Sequence, residues 1–304
     1  MKILVTTLLA VVVITLPLHA QTEPPAVTAT RAIECASCAE WNAPHKPFRL
    51  YGNSWFVGTH GLSAILLTSA SGHVLIDAGL PESAPLIAAN IVSLGFRVED
   101  VKLIVNSHDH FDHAGGIAAL QKLSGARVAA SASSAKVLER GESESDDPQF
   151  GVLLKFPRVS NVSVIKDNEV LKAGDVSLTA RFTPGHTPGG TSWSWQSCEG
   201  HRCVVMVYAD SQTPVSADGF FYSRSKTYPN GVKDFEKGFS VLESLKCDIL
   251  ITPHPDASQL WQRVAARDGG KSEALIDASA CKRYAAAARV RLATRLATEA
   301  KAIK

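Results

Sequence analysis

Three short runs, Ser54 to Thr59, Leu62 to Thr68 and His73 to Ala78, are β-like in residue type and separated by Gly and Ser. They predict a meander beginning near Arg49. The period then changes. Leu86, Ile87, Ile91 and Leu94 fall at helical spacing ahead of Gly95, so a helix is expected from Ser83 to Leu94. Val101 to Asn106 is a near-continuous apolar run with the length of a strand covered on both faces. Helix-like stretches at Gly116 to Leu123 and Ala132 to Arg140 flank a strand at Ala126 to Ala130. The second half repeats this grammar, with strands expected at Val162 to Lys166, Val176 to Phe182, Thr191 to Trp195 and Cys203 to Tyr208. Helix Lys233 to Leu245 and strand Asp248 to Thr252 follow, then helices near Gln259 to Ala266 and Ala280 to Ala302. Strand runs with helices at the edges of each half predict an α/β protein, a four-layer α/β/β/α sandwich of two face-to-face sheets with outer helices. The arginines of the last helix, Arg283, Arg289, Arg291 and Arg295, are expected on a solvated amphipathic face.

The beginning of the chain has a different character. Lys2, an apolar run from Ile3 to Leu16 and a small-residue exit at Ala20 have the layout of an export signal over residues 1–20. The run is short for a membrane span and is broken by Pro17 and His19, so no membrane association is expected after cleavage. Residues 21–40, rich in Pro, Thr and Ala as far as Arg31, are expected to be a mobile segment preceding a single domain at 41–304. The 304 residues, 45% hydrophobic and 20% charged, suffice for a substantial core. A net charge of +2 without a basic run argues against nucleic acid as a partner. Export, and with it a periplasmic location, makes disulfides the natural state of the six cysteines. Cys198 and Cys203 can close a hairpin across Glu199 to Arg202, and Cys247 and Cys281 can staple the last helix. Cys35 and Cys38 are read as a local disulfide.

With the thiols so assigned, chemistry is sought among the histidines. Ser107-His108-Asp109-His110-Phe111-Asp112-His113 sets four metal-capable side chains, His108, His110, Asp112 and His113, within six positions directly after a buried strand. Three imidazoles and a carboxylate this dense are costly to bury unless a cation collects their lone pairs. Residues two apart on an extended or turning loop can face one side, so His108 and His110 can share one ion while Asp112 and His113 turn toward a second. His186 in Thr183-Pro184-Gly185-His186-Thr187 and His254 in Thr252-Pro253-His254-Pro255 each follow a strand and can complete the coordination. His45, His60, His73 and His201 lack such company and are read as structural. Imidazole with a single carboxylate suits zinc better than calcium or magnesium.

H-x-H-x-D-H followed by distant single histidines resembles the metallo-β-lactamase superfamily. The segment Trp41 to Asn53, the run Asp146 to Gly151, Ala209-Asp210-Ser211-Gln212-Thr213, Pro253-His254-Pro255 and the Cys247/Cys281 arrangement are similar to subclass B3 in particular. The likeness covers roughly Trp41 to Glu299. It implies the metallo-β-lactamase fold and two zinc ions, one held by His108, His110 and His186 and the other by Asp112, His113 and His254. It further implies that Ser211 and Thr213 line the substrate site, the second near the substrate carboxylate. Gln212 departs from the Leu common in relatives and leaves the local pocket shape open. Trp41 and Phe150 are candidate pocket-wall residues.

The activity so implied is opening of the β-lactam ring of penicillins, cephalosporins and carbapenems by a metal-bound hydroxide, with Asp112 orienting the nucleophile, in a monomer whose partner is a small molecule. The main alternative is a lactonase or a glyoxalase II-like thioesterase on the same fold. Those relatives commonly bridge their metals with an aspartate, and Asp210 sits where such a residue can fall. A zinc-storage protein is disfavoured because three protein ligands per ion leave coordination open. A nuclease is disfavoured because no basic track accompanies the site.

Overall fold

The computed structural model describes Met1 and residues 32–302. The expected export signal and the segment up to Arg31 otherwise lie outside the described residues. Seven strands form the first sheet in chain order: β1 (Phe48–Tyr51), β2 (Ser54–Phe56), β3 (Ile65–Leu67), β4 (His73–Ile76), β5 (Val101–Val105), β6 (Arg127–Ala130) and β7 (Val162–Val164). The first four pair antiparallel, and β4 to β7 run parallel. The second sheet has five strands: β8 (Val170–Ala173), β9 (Val176–Phe182), β10 (Thr191–Glu199), β11 (Arg202–Tyr208) and β12 (Ile249–Ile251). Only β11 and β12 are parallel there. Both sheets are therefore mixed.

Period-two alternation distributes the apolar runs between an inner and an outer core. Ile65, Leu67, Val74, Ile76, Leu103 and Val105 meet Leu178, Trp193, Trp195, Met206 and Ile249 between the sheets. Intervening residues such as Leu66, Leu75 and Ile104 face outward, under helices α2 (Ala84–Ser93), α4 (Ile117–Ser124) and α5 (Ala132–Arg140). Val207 and Leu250 do the same on the second sheet, beneath α6 (Gly231–Ser244) and α8 (Ala280–Ala302). Helix α1 (Cys38–Trp41), the single turn α3 (Phe111–Ala114) and α7 (Leu260–Asp268) complete the set. This is the expected four-layer α/β/β/α sandwich. The near-continuous apolar run Val101 to Asn106 contains β5, buried at every position of the strand but Lys102.

Two strands escaped the sequence pattern. β1 and β8 have four residues each, β1 with Arg49 among its apolar residues and β8 with exposed Val170 and Lys172 alternating with Leu171 and Ala173, too short a run for the alternation to stand out. A larger difference concerns α8. Its arginines are engaged by partners: Arg289 pairs with Glu236 and Glu243, Arg283 with Asp277, and Arg295 with Glu299. The opposite face, with Tyr284, Ala285, Ala288 and Leu292, is buried against α6 and the second sheet. Disulfides join Cys35 to Cys38, Cys198 to Cys203 across the β10–β11 turn, and Cys247 to Cys281 at the start of α8. Among the described residues no helix is long and apolar enough to cross a membrane.

Candidate metal centre

Strand direction brings the site together. β4 and β5 are parallel, as are β11 and β12, and β9 runs with β11 because each is antiparallel to β10. Their C-terminal ends therefore share one edge of the sandwich. From that edge emerge Asp77 after β4, His108 and His110 after β5, His186 after β9, Asp210 and Ser211 after β11, and His254 after β12. Asp112 and His113 lie on α3, so the last third of the histidine motif is a helical turn where a loop was expected. The turn before His186 depends on Gly185, whose φ is +138° and where a Cβ would come within 2.5 Å of the Phe235 ring.

Donor atoms of His108, His110 and His186 lie within 4.8 Å of one another, as do those of His108, Asp112 and His113. His254 adjoins the second group: its Nε2 is 3.4 Å from Asp112 Oδ2, and its ring centroid is 4.8 Å from that of His113. Trp41 packs on the other side of His254 at 5.1 Å. All six predicted ligand residues are thus gathered at one place. His108, His110, Asp112, His113 and His186 are buried, and His254 is half-buried.

The outward nitrogen of most of these rings is already used. His108 Nδ1 bonds Asp210 Oδ1 at 2.8 Å, and His110 Nε2 bonds Asp147 Oδ2 at 2.9 Å. His186 Nδ1 donates to the Thr213 carbonyl at 2.8 Å, and His254 Nδ1 donates to the Gly61 carbonyl at 3.2 Å. Each bond fixes a tautomer and leaves the other nitrogen free to offer a lone pair. His113 goes further: both ring nitrogens are buried without a hydrogen-bond partner, although Asp112 Oδ2 is 3.2 Å away. A buried imidazole left so is costly unless a cation takes its lone pair, so the donor set fits a metal ion.

Charge regulation agrees for two of the rings. Burial, reinforced by the neighbouring histidines, holds His108 well below the usual imidazole range. Burial and His110 bring His186 down to about 3. Both rings are neutral at physiological pH, the form that binds a metal. Burial would also lower His110, but the charge and hydrogen bond of Asp147 outweigh it and lift the ring to about 8. Burial works to raise Asp112, yet His113 and His254 beside it hold the carboxylate well below its usual range.

The remaining predicted residues divide. Ser211 is buried at the rim of the loop. Thr213 touches the site through its main chain, by the carbonyl that accepts from His186. Gln212 turns inward, donating from Nε2 to the carbonyls of Thr183 and Ser211 beneath the loop, so it does not alter the pocket wall. Asp210 stands behind His108, its Oδ1 spent on that ring. Sequence reasoning missed Asp77. It accepts from the Ser107 amide at 2.6 Å, the Ser107 hydroxyl at 2.7 Å and the Tyr208 hydroxyl at 2.7 Å, tying the histidine loop to both sheets. Its only sequence signal is an aspartate directly after an apolar strand and before Gly79, with one residue between.

Residues 57–199 match the family model of the metallo-beta-lactamase superfamily. The solved structure of Rm3 metallo-beta-lactamase is 56% identical, with 88% of this chain and 99% of that one covered and a TM-score of 0.86. MEM-A1, a subclass B3 metallo-beta-lactamase isolated from a soil metagenome library, is 51% identical over 86% of this chain and 99% of its own, with a TM-score of 0.84. An N-acyl homoserine lactonase of Bacillus cereus is 26% identical over 152 residues, 42% of this chain and 55% of its own length. The chain spans about half the length of such curated relatives.

Proposed function

The chain belongs to the subclass B3 metallo-β-lactamases, and from that we propose that it is a two-zinc enzyme hydrolysing the β-lactam ring of penicillins, cephalosporins and carbapenems. The observation that carries this reading is the convergence of six donor residues, five imidazoles and the Asp112 carboxylate, with one ring nitrogen of His108, His110, His186 and His254 tied down by a hydrogen bond and the His113 ring left unpaired. In this reading His108, His110 and His186 hold one ion, and Asp112, His113 and His254 the other. Zinc, when bound, supplies Lewis acidity and brings the ionisation of water into the neutral range.

The protein's own groups set the rest of the reaction. Asp112, kept ionised by His113 and His254, is a poor base and a good acceptor, so it orients the attacking water and does not take its proton. In this reading the Thr213 hydroxyl meets the substrate carboxylate while Ser211 lines the site near the second ion, which together fix the lactam carbonyl over the site. Water adds across the amide bond, its oxygen going to the acyl carbon and a proton to the nitrogen as the C–N bond breaks. No side chain acts as a covalent nucleophile. A bridging aspartate, on which the lactonase and thioesterase reading depends, is disfavoured because Asp210 bonds His108 from behind. We further propose that residues 1–20 are cleaved on export to the periplasm and that residues from 41 onward act as one domain and a monomer.

The test is hydrolysis of a carbapenem and a cephalosporin by the purified mature protein, before and after chelation and after zinc is returned, beside a lactone and a thioester. Lactam turnover lost on chelation and restored by zinc is expected. Inert lactams with brisk lactone or thioester cleavage would overturn the assignment.

A further inference from the structure

Away from the metal centre, a cavity of about 710 Å³ opens between α8, α7 and the 3₁₀ turn Pro255–Ser258. Its walls include Ser258, Gln259, Arg263, Asp277, Tyr284 and Arg291. Arg283 stands at the rim, where it pairs with Asp277. Three guanidinium groups thus share a concavity with one carboxylate, and that carboxylate is already engaged.

The two inner arginines are poorly satisfied. Nε of Arg263 and Nε of Arg291 are both buried without a hydrogen-bond acceptor. Arg263 has carbonyl partners only, Leu250 at 2.6 Å and Leu275 at 3.5 Å. Arg291 has the Gln212 carbonyl at 3.5 Å and lies 5.9 Å over the Tyr284 ring. Arg267, the other arginine of α7, and the other arginines of α8 each have a carboxylate, which makes these two exceptional. Both side chains are half-buried and neither forms an ion pair with a carboxylate, so each keeps a charge to offer an anion; burial pulls Arg263 down to about 10. The unpaired Nε atoms are shut off from the cavity, so it is the terminal N–H groups of these two lining residues that can offer a fork of donors to a carboxylate or phosphate.

We propose that this cavity is a second binding site, for a small organic anion whose carboxylate or phosphate group is held by Arg263 and Arg291. Its volume is that of a pocket for a small molecule. It also shares a wall with the loop that lines the metal centre. The Tyr284 hydroxyl donates to the Asp210 carbonyl and accepts from the Gln212 amide, and Ser258 lies four residues beyond His254.

Inorganic phosphate and succinate, each titrated into ¹⁵N-labelled zinc-loaded protein at constant ionic strength, distinguish the two head groups. Amide resonances locate the binding, which separates this cavity from the zinc ions. Saturable shifts of Ser258, Gln259 and Ala287 with either anion at millimolar concentration are expected, and the tighter anion identifies the class. Arg291→Gln should weaken that binding by about tenfold or more. Ala287→Glu, at an exposed position on the cavity wall, places a carboxylate there without disturbing the core and should weaken it similarly. The proposal fails if neither anion shifts those amides saturably, or if the shifts are the same in wild type and in Ala287→Glu.

Discussion

Asp210 is fully buried, yet only its Oδ1 has a partner. Oδ2 is unsatisfied and faces Gly190, where a Cβ would come within 2.4 Å of it. The neighbouring backbone has been kept bare so that this carboxylate can stand behind His108. Its role is positional: it fixes which nitrogen of His108 points at the ion. Asp210→Ala should therefore cost about 10–100-fold in zinc affinity, read by competition with a chromophoric chelator. Asp210→Asn keeps an acceptor for Nδ1 and should lose less. Equal affinity in all three proteins would show that His108 is oriented by other contacts. The inner donors were legible in the sequence because four of them crowd one short segment. Their outer partners were not. Asp77 is 30 residues from Ser107, Asp147 is 37 from His110 and Asp210 is 102 from His108, and no local pattern links residues so separated.

Among the elements, α8 is held at its beginning by Cys247–Cys281 and along its length by ion pairs to α6. That disulfide closes a separation of 34 residues, against 5 for Cys198–Cys203. Loop-closure entropy then assigns about 4 kcal/mol to the longer link and about 2 kcal/mol to the shorter. Replacing Cys247 and Cys281 together by Ala should lower the urea midpoint by more than replacing Cys198 and Cys203 together. The reverse order would mean that the unfolded chain keeps α8 near β12 without the link. The sequence made α8 visible through its alanines but not the fate of its arginines. Its charged face could be read as solvated because charge patterning along one helix carries no information about the acids of another. Glu236 and Glu243 belong to α6, and only the packed pair shows that they meet Arg289.

On the scale of the molecule, the metal centre lies where loops from both sheets converge, and the three hydrophobic cores are built from side chains other than its donors. The fold should therefore form without metal, unlike a small zinc domain whose folding energy is the metal itself. What bound metal would add is a link between sheets: His108, His110, Asp112 and His113 follow β5 of the first, while His186 and His254 follow β9 and β12 of the second. Ions that bind only the folded chain stabilise it by mass action, about 4 kcal/mol for each ion at a thousandfold excess over its dissociation constant. For a domain of this size that lowers the melting temperature on chelation by roughly 8 °C or more. Far-ultraviolet circular dichroism below the transition should stay unchanged, because no strand or long helix depends on the site. Zinc should restore the original midpoint. A chelated protein that loses its lactam turnover but melts where the loaded protein does would show that the ions do not brace the two sheets. One that loses its dichroism at low temperature would show that the three cores do not suffice to hold the sandwich together.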